Sequence, residues 1–238
     1  MRRNLIVAAA AAAAVILLAL VGGYVYFFSD LRSSPSTLGL SASPSPAATA
    51  STGLAGTWKV TSGSLAGYRV QELFAGETVK HVAVARTSNV SGGIAVSAIS
   101  ADGSGYAVNG IILTVDLSSL HSVDQVAGRN VTQRDGVVSR QLSVQQFPSA
   151  TFTATSASVP GMVTTTQVDL TVAGKLTIHG VSKDVTASAK AQAAGDTIEI
   201  AGTMAINMGD YGVTPPQAPF VTVDPAATIE FKIVLVRG

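Results

Sequence analysis

The residues best suited to chemistry in this chain are few and scattered along the sequence. Its three histidines, His81, His121 and His179, have no His-x-His or His-x-x-x-His neighbour that would predict a metal site. The chain has no cysteine, which excludes disulfides, thiolate metal sites and cysteine nucleophiles. It also lacks a Gly-x-Ser-x-Gly motif and a phosphate-binding glycine loop. We therefore predict a protein that is not an enzyme and that has no metal and no cofactor.

The most prominent polar pair is Arg134-Asp135. One hypothesis is that Arg134 lies at the opening of a binding site and holds a ligand phosphate through its two terminal nitrogens. The other is a structural role, in which an Arg–Asp pair or a helix cap fixes an irregular segment against the rest of the domain. We favour the structural role because the pair adjoins a predicted helix-to-strand connection.

The first 28 residues are predicted to be a membrane anchor. Residues 5–28 form an uncharged run of 24 residues after Arg2 and Arg3. As a helix this run is about 36 Å long, enough to cross a bilayer core of about 30 Å. The arginines before it predict a cytoplasmic N-terminus, with the remainder of the chain outside the cytoplasm. The alternative is a signal peptide whose cleavage releases a secreted domain.

Residues 29–55 are predicted to be a disordered linker. Of these 27 residues, 21 are Ser, Thr, Pro, Ala or Gly. Such a composition buries too little apolar surface to offset the entropy lost on ordering. The chain therefore divides into an anchor (1–28), a linker (29–55) and a domain (56–238).

Apolar and polar residues alternate along much of the domain, which indicates strands with one buried face. In the clearest run, residues 168–178, Leu170, Val172 and Leu176 alternate with polar residues. A short helical segment is predicted near residues 129–146. Further strands are predicted at 58–60, 68–73, 94–99, 107–117, 150–157, 185–191, 198–206 and 229–233. About eight strands with almost no helix predict an all-β antiparallel sandwich or closed barrel.

Several positions on the predicted inner face are small. A barrel of about eight strands is either filled by its own side chains or holds one small ligand. Large neighbours such as Phe152, Met204 and Phe231 would fill the interior in the first case. The small inward positions, which would leave room in the second case, are Ala154, Gly174, Ala187, Ala189, Ala191 and Gly202.

Three segments share their order and spacing with a known family. Residues 130–135 read Asn-Val-Thr-Gln-Arg-Asp and precede Phe-Pro at 147–148. Residues 174–183 contain Gly-x-Leu-Thr-x-x-Gly-Val-Ser-Lys, and residues 206–213 read Ile-Asn-Met-Gly-Asp-Tyr-Gly-Val. Together they resemble the YceI-like family, although Met208 stands where the family usually has Arg. The resemblance implies an exported, lipocalin-like barrel whose apolar interior binds a polyisoprenoid or a similar amphiphile.

We therefore expect residues 56–238 to store, transport or sequester such a lipid outside the cytoplasm, without catalysis. The alternative is a ligand-free structural or interaction domain of the cell envelope. The expected partners are the lipid and, through the N-terminal helix, the membrane; a net charge of +1 excludes nucleic acid, and the oligomeric state stays open. The expected ligand-binding residues are Arg134, Phe152, Ala154, Leu170, Val172, Leu176, Ala187, Ala189, Ile200, Met204 and Phe231.

Overall fold

The computed structural model describes residues 2–28, 32–41, 53–98, 105–160, 167–194 and 196–238 of the 238-residue chain. Two short 3₁₀ turns, Leu117–Ser119 and Met208–Tyr211, accompany its helices and strands. These are α1 (Arg2–Phe28), β1 (Arg32–Ser33), β2 (Gly56–Val60), β3 (Leu65–Phe74), β4 (His81–Thr87), β5 (Val90–Ala98), β6 (Gly105–Asp116), β7 (His121–Ser122), β8 (Gln125–Val126), α2 (Gln133–Gln141), β9 (Ser149–Pro160), β10 (Val168–Ile178), β11 (Val181–Ala194), β12 (Thr197–Asn207), β13 (Gln217–Ala218) and β14 (Val221–Arg237).

The last strand, β14, closes the sheet into a barrel because it is hydrogen-bonded along both of its edges. One edge pairs with β12; the other pairs with β3 over residues 221–232 and with β2 over residues 235–237. From β14 the ring runs through β12, β11, β10, β9, β6, β5 and β2, and every pairing is antiparallel. The described residues thus confirm the predicted all-β barrel, with eight strands in the closed ring and β3 and β4 extending its wall.

The alternation read from the sequence matches the two faces of the barrel wall. In β10, Leu170, Leu176 and Ile178 are buried, whereas Thr171 and Lys175 between them are exposed. The β11 strand repeats the pattern with alternating buried alanines. Since successive side chains of a strand point to opposite faces, the apolar set of each strand is directed into the barrel. The predicted helical segment is also confirmed, as α2.

The N-terminal region is helical from Arg2 to Phe28, as predicted for residues 5–28. Among the residues that the structure describes, no helix combines the length and the apolar character needed to cross a membrane. The membrane-spanning part of the prediction is therefore not supported here.

Residues 32–41, here called the strap, lie against the outer wall of the barrel, although the sequence predicted disorder across 29–55. The strap begins as β1, which pairs with β8. It ends at Ser41, whose N–H and hydroxyl donate to the Glu199 carboxylate of β12 at 2.7 and 2.8 Å. Residues 29–31 and 42–52 lie outside the described residues. The prediction of disorder is wrong for the strap because amino-acid composition carries no information about hydrogen bonds to residues that are distant in the sequence.

The strap is held mainly through its main chain by a charged patch on the wall. Arg69 Nη1 of β3 donates to the carbonyl oxygen of Pro35 at 2.8 Å. The N–H of Leu38 donates to Glu230 Oε2 at 3.2 Å, and Glu230 Oε1 accepts from Arg86 Nε at 2.8 Å. The Glu230 side chain is fully buried. A buried carboxylate requires such pairing and hydrogen bonding to remain ionised, so the strap completes the environment of Glu230.

Glu230→Ala is expected to lower the free energy of unfolding by about 2 to 4 kcal/mol, because Arg69 and Arg86 lose the buried carboxylate that they share. The matched control is Asp184→Ala, which removes an exposed ion pair with Lys175 and should have little effect. Urea denaturation of both variants measures the difference. Equal stability of the two variants would show that the charged patch does not stabilise the wall.

Candidate ligand-binding cavity

The barrel encloses a cavity of about 900 Å³. This volume is near the upper end of the roughly 300–1,000 Å³ found for small-molecule sites. Its walls are mostly Val, Ile, Leu and Phe side chains from the inner faces of the strands. Most of its polar lining, including Glu72, Arg134 and Gln141, comes from β3 and from residues 128–142. A cavity of this composition suits a ligand that is apolar over most of its length.

Ten of the eleven residues predicted to bind the ligand line this cavity. The exception is Ala154, which is buried in β9 but does not border the cavity. Contact of the other ten with a ligand stays a prediction. They are Arg134, Phe152, Leu170, Val172, Leu176, Ala187, Ala189, Ile200, Met204 and Phe231.

Two glycines predicted to leave room inside the barrel do not do so. A Cβ at Gly174 would lie 2.5 Å from Phe152 Cζ, because the Phe152 ring already covers that position. A Cβ at Gly202 would clash with the carbonyl oxygen of Ser188, because β11 approaches closely there. Among the six small positions, only Ala187 and Ala189 border the cavity; Ala154, Gly174, Ala191 and Gly202 do not. Two of the six predicted small positions therefore contribute to the cavity.

The cavity opens at one end of the barrel, here called the mouth. The exposed residues that line it all belong to this end: Gly128, Arg129, Asn130, Gln133 and Phe220. At the opposite end Trp58 is fully buried, and its indole Nε1 donates to the carbonyl oxygen of Leu54 at 2.9 Å. Among the described residues, the exposed lining of the cavity therefore lies at the mouth.

Arg134 lies near the mouth and pairs with two buried carboxylates. Its Nη1 donates to Asp124 Oδ1 at 2.8 Å, and its Nη2 donates to Glu72 Oε1 at 2.6 Å. Asp124 also accepts from the N–H of Val84 at 3.0 Å and lies 2.7 Å from His81 Nε2. Both terminal nitrogens of Arg134 are thus engaged by carboxylates, so the geometry supports the structural role and disfavours a ligand phosphate.

The neighbouring Asp135 does not pair with Arg134, so the Arg–Asp pair, one of the two structural forms expected from the sequence, does not form. Its Oδ1 instead accepts from the N–H of Ser122 at 2.9 Å and from the Ser122 hydroxyl at 2.6 Å. Asp135 therefore holds the start of α2 against β7. Arg134 and Asp135 bind different partners because successive side chains of a helix point in different directions.

The surroundings of the two carboxylates shift their pKa values in opposite directions. Burial alone would raise the pKa of Asp124, but hydrogen bonds from His81, Arg134 and Val84 hold it at about 2. Burial dominates for Glu72 and raises its pKa above the ordinary carboxyl value, with Arg134 opposing the shift. Asp124 is therefore the firmly ionised partner of Arg134.

Glu72, His81 and Asp124 place three potential metal-ligand atoms within 4.8 Å of one another. The Arg134 guanidinium already bonds to both carboxylates and supplies the positive charge that they need. His121 is exposed, and the ring of His179 contacts the carbonyl oxygen of Tyr211 at 3.1 Å. Because the three histidines do not converge and the cluster holds its own cation, the geometry does not favour a metal site.

Sequence reasoning missed the contribution of the helical segment to the cavity. Val131, Val137, Val138 and Leu142 line it near the mouth, as does Met208, which follows β12. Within α2, the lining residues 134, 137, 138 and 141 have the i, i+3, i+4, i+7 spacing of one helical face, a signal that could have been read from the sequence. Met208 adds apolar surface where the family resemblance implied an arginine.

Asp124→Asn is expected to destabilise the protein at pH 7 by about 2 kcal/mol or more, because it removes the main ionic partner of Arg134. A depressed pKa gives stability that is present above the unfolded value of 3.8 and lost as the pH falls toward about 2. The stability difference between wild type and variant should therefore shrink between pH 4 and pH 2. Denaturant titrations across this range measure it, and a constant difference would contradict the assignment.

The chain is similar to one known protein family and to several solved structures. A family model for the YceI-like domain matches residues 58–235, and a comparison with curated proteins finds no match. Three solved structures resemble the chain, and the first is a polyisoprenoid binding domain from Saccharophagus degradans implicated in plant cell wall breakdown, with 14% identity, 76% of this chain and 98% of that chain covered, and a TM-score of 0.49. The second is Burkholderia cenocepacia BcnA, with 18% identity, 70% of this chain and 95% of that chain covered, and a TM-score of 0.46. The third is a Campylobacter jejuni YceI protein, with 17% identity, 59% of this chain and 80% of that chain covered, and a TM-score of 0.39. Since the family match extends from β2 to β14, the chain belongs to the YceI-like family.

Proposed function

We propose that the barrel binds a polyisoprenoid or a similar long-chain amphiphile in its cavity and does not transform it. The observation that carries this proposal is the apolar cavity of about 900 Å³ that opens at the mouth. Each CH₂ group transferred from water into such an interior contributes about 0.8 kcal/mol. Membership of the YceI-like family supports the same class of ligand.

The depth of the cavity favours one long chain over a compact ligand. On β14 alone, lining residues extend from Val221 to Leu235. With a rise of about 3.4 Å per residue and a strand tilt of about 40°, this stretch corresponds to roughly 35 Å along the barrel. An extended hydrocarbon chain fills a long, narrow space of this kind.

The polar groups near the mouth favour an uncharged head group. Arg134 is paired with Glu72 and Asp124, so it offers no unpaired positive charge to a phosphate. Met208 adds apolar surface to the cavity lining. An anionic head group would have to displace a buried ion pair, which is costly.

We further propose that the barrel works outside the cytoplasm, at or near a membrane. The support is the sequence alone, where two arginines precede 24 uncharged residues. Protease treatment of intact cells should degrade the barrel if it lies outside the cytoplasm, and complete protection would overturn this location.

Affinity for a series of prenyl alcohols is expected to rise with chain length and then level off once the chain fills the cavity. Each added five-carbon unit should strengthen binding at least tenfold before the plateau, because its burial contributes several kcal/mol. Competition with a fluorescent prenyl analogue measures these affinities on the full chain. Absence of binding at every length would reject the proposal.

The same series on Ala189→Leu should level off at a shorter chain, because the larger side chain occupies part of the cavity, while the thermal melting temperature changes little. Ser188→Leu is the matched control, since Ser188 is exposed on the outer face of the same strand. A filled core without a ligand, the alternative from the sequence, predicts instead that Ala189→Leu strongly destabilises the barrel through overpacking.

A further inference from the structure

We propose that the mouth of the barrel docks on the surface of a lipid bilayer and that the strap holds it in this orientation, so that the ligand passes directly between bilayer and cavity. This inference rests on the proposed lipid-binding function and adds to it a site of loading. It follows from where the strap begins, what precedes it and which side chains the mouth exposes.

The strap starts at the mouth end of the barrel. Its first residues, Arg32 and Ser33, pair with Val126 and Gln125 of β8. Only two residues beyond β8, residues 128–130 line the exposed part of the cavity. From there the strap runs across β4, β3 and β14 to β12, with hydrogen bonds to each of these strands. These hydrogen bonds therefore fix the orientation of the barrel relative to the first residue of the strap.

The chain before the strap leads directly to an apolar helix. The α1 helix ends at Phe28, four residues before Arg32, and a chain of this length spans at most about 14 Å. Residues 5–28 carry no charge. The large apolar side chains of α1 at residues 15–18, 20, 21 and 24 are exposed, and such an uncovered apolar surface this close to the mouth points to a lipid bilayer as the occupant of the mouth surface.

The mouth also presents apolar side chains to the outside. Phe220, which lines the cavity, is 63% exposed, and Val79 in the turn between β3 and β4 is 48% exposed. An aromatic ring at such a rim suits the boundary between head groups and acyl chains.

Two pairs of oppositely charged side chains lie near the mouth. Lys80 Nζ lies 2.6 Å from Asp224 Oδ2, and Arg129 Nη2 lies 3.5 Å from Glu77 Oε1. Because each pair is neutral overall, it attracts anionic lipids only weakly, and the apolar rim contributes more to binding at the bilayer. We therefore expect the affinity of the mouth for the bilayer to depend weakly on salt concentration.

Phe220→Trp in the full chain tests the docking directly. With phosphatidylcholine vesicles, its fluorescence should shift to the blue and be quenched by brominated lipid. The one native tryptophan, Trp58, lies buried at the opposite end and should not respond. Ile112→Trp is the matched control, because Ile112 is 53% exposed on the outer face of β6. Equal responses at both positions would overturn the proposal, and so would a shift at position 220 that depends on protein concentration without vesicles, since a second copy would then cover the mouth.

The strap is tested by removing its N–H donors while leaving the wall unchanged. Leu38→Pro combined with Ser41→Pro removes the main-chain donors to Glu230 and Glu199. Transfer of a fluorescent prenyl lipid from phosphatidylcholine vesicles should become at least tenfold slower, whereas affinity for the same lipid in solution should not change. Gly39→Ala is the control, because its added Cβ meets no atom within 4 Å.

The outcomes separate the two proposals. Unchanged transfer in the proline variant, with lipid binding intact in solution, would overturn the docking proposal and leave the lipid-binding function standing. Failure of the wild-type chain to bind the lipid even in solution would overturn the proposed function. Circular dichroism and thermal melting confirm that each variant remains folded before its transfer rate is compared.

Discussion

Hydrogen bonding along both edges of β14 is the constraint on which the rest of the barrel depends. A strand paired with β12 on one side and with β2 and β3 on the other converts an open sheet into a ring. A ring of eight strands has an interior that side chains fill only in part when several of them are no larger than alanine or valine. The cavity is therefore a result of backbone closure combined with side-chain size, and its apolar character follows from the alternation along each strand.

The same closure brings charged residues from distant parts of the chain into two buried groups. Near the mouth, Glu72 and Asp124 share Arg134, which fixes α2 beside the opening. On the outer wall, Glu230 lies between Arg69 and Arg86 and accepts a hydrogen bond from the strap. Buried ion pairs of this kind add little net stability over apolar packing, but they penalise alternative arrangements that leave a charge unpaired. They therefore define where α2 and the strap lie.

The sequence predicted the fold well because strand alternation is a local signal. The strands β10 to β12 were recognisable from side-chain period alone, and ten of the eleven residues predicted to bind a ligand border the cavity. The features that the sequence did not predict are those that depend on contacts between residues far apart in the chain. Gly174 was taken as open space, but Phe152, 22 positions earlier, covers it. The partners of Arg134 are Glu72 and Asp124 rather than the adjacent Asp135, and the order of the strap depends on charges more than 30 residues away.

The way in which the wall holds the strap has an evolutionary consequence. Arg69, Glu230 and Gln192 contact carbonyl oxygens or N–H groups, which nearly every amino acid provides. Substitutions in the strap can then accumulate without loosening it, provided that no proline replaces a donor. In any relative that carried such a strap, its sequence could therefore vary freely, whereas the charged residues of the wall that bind it could not.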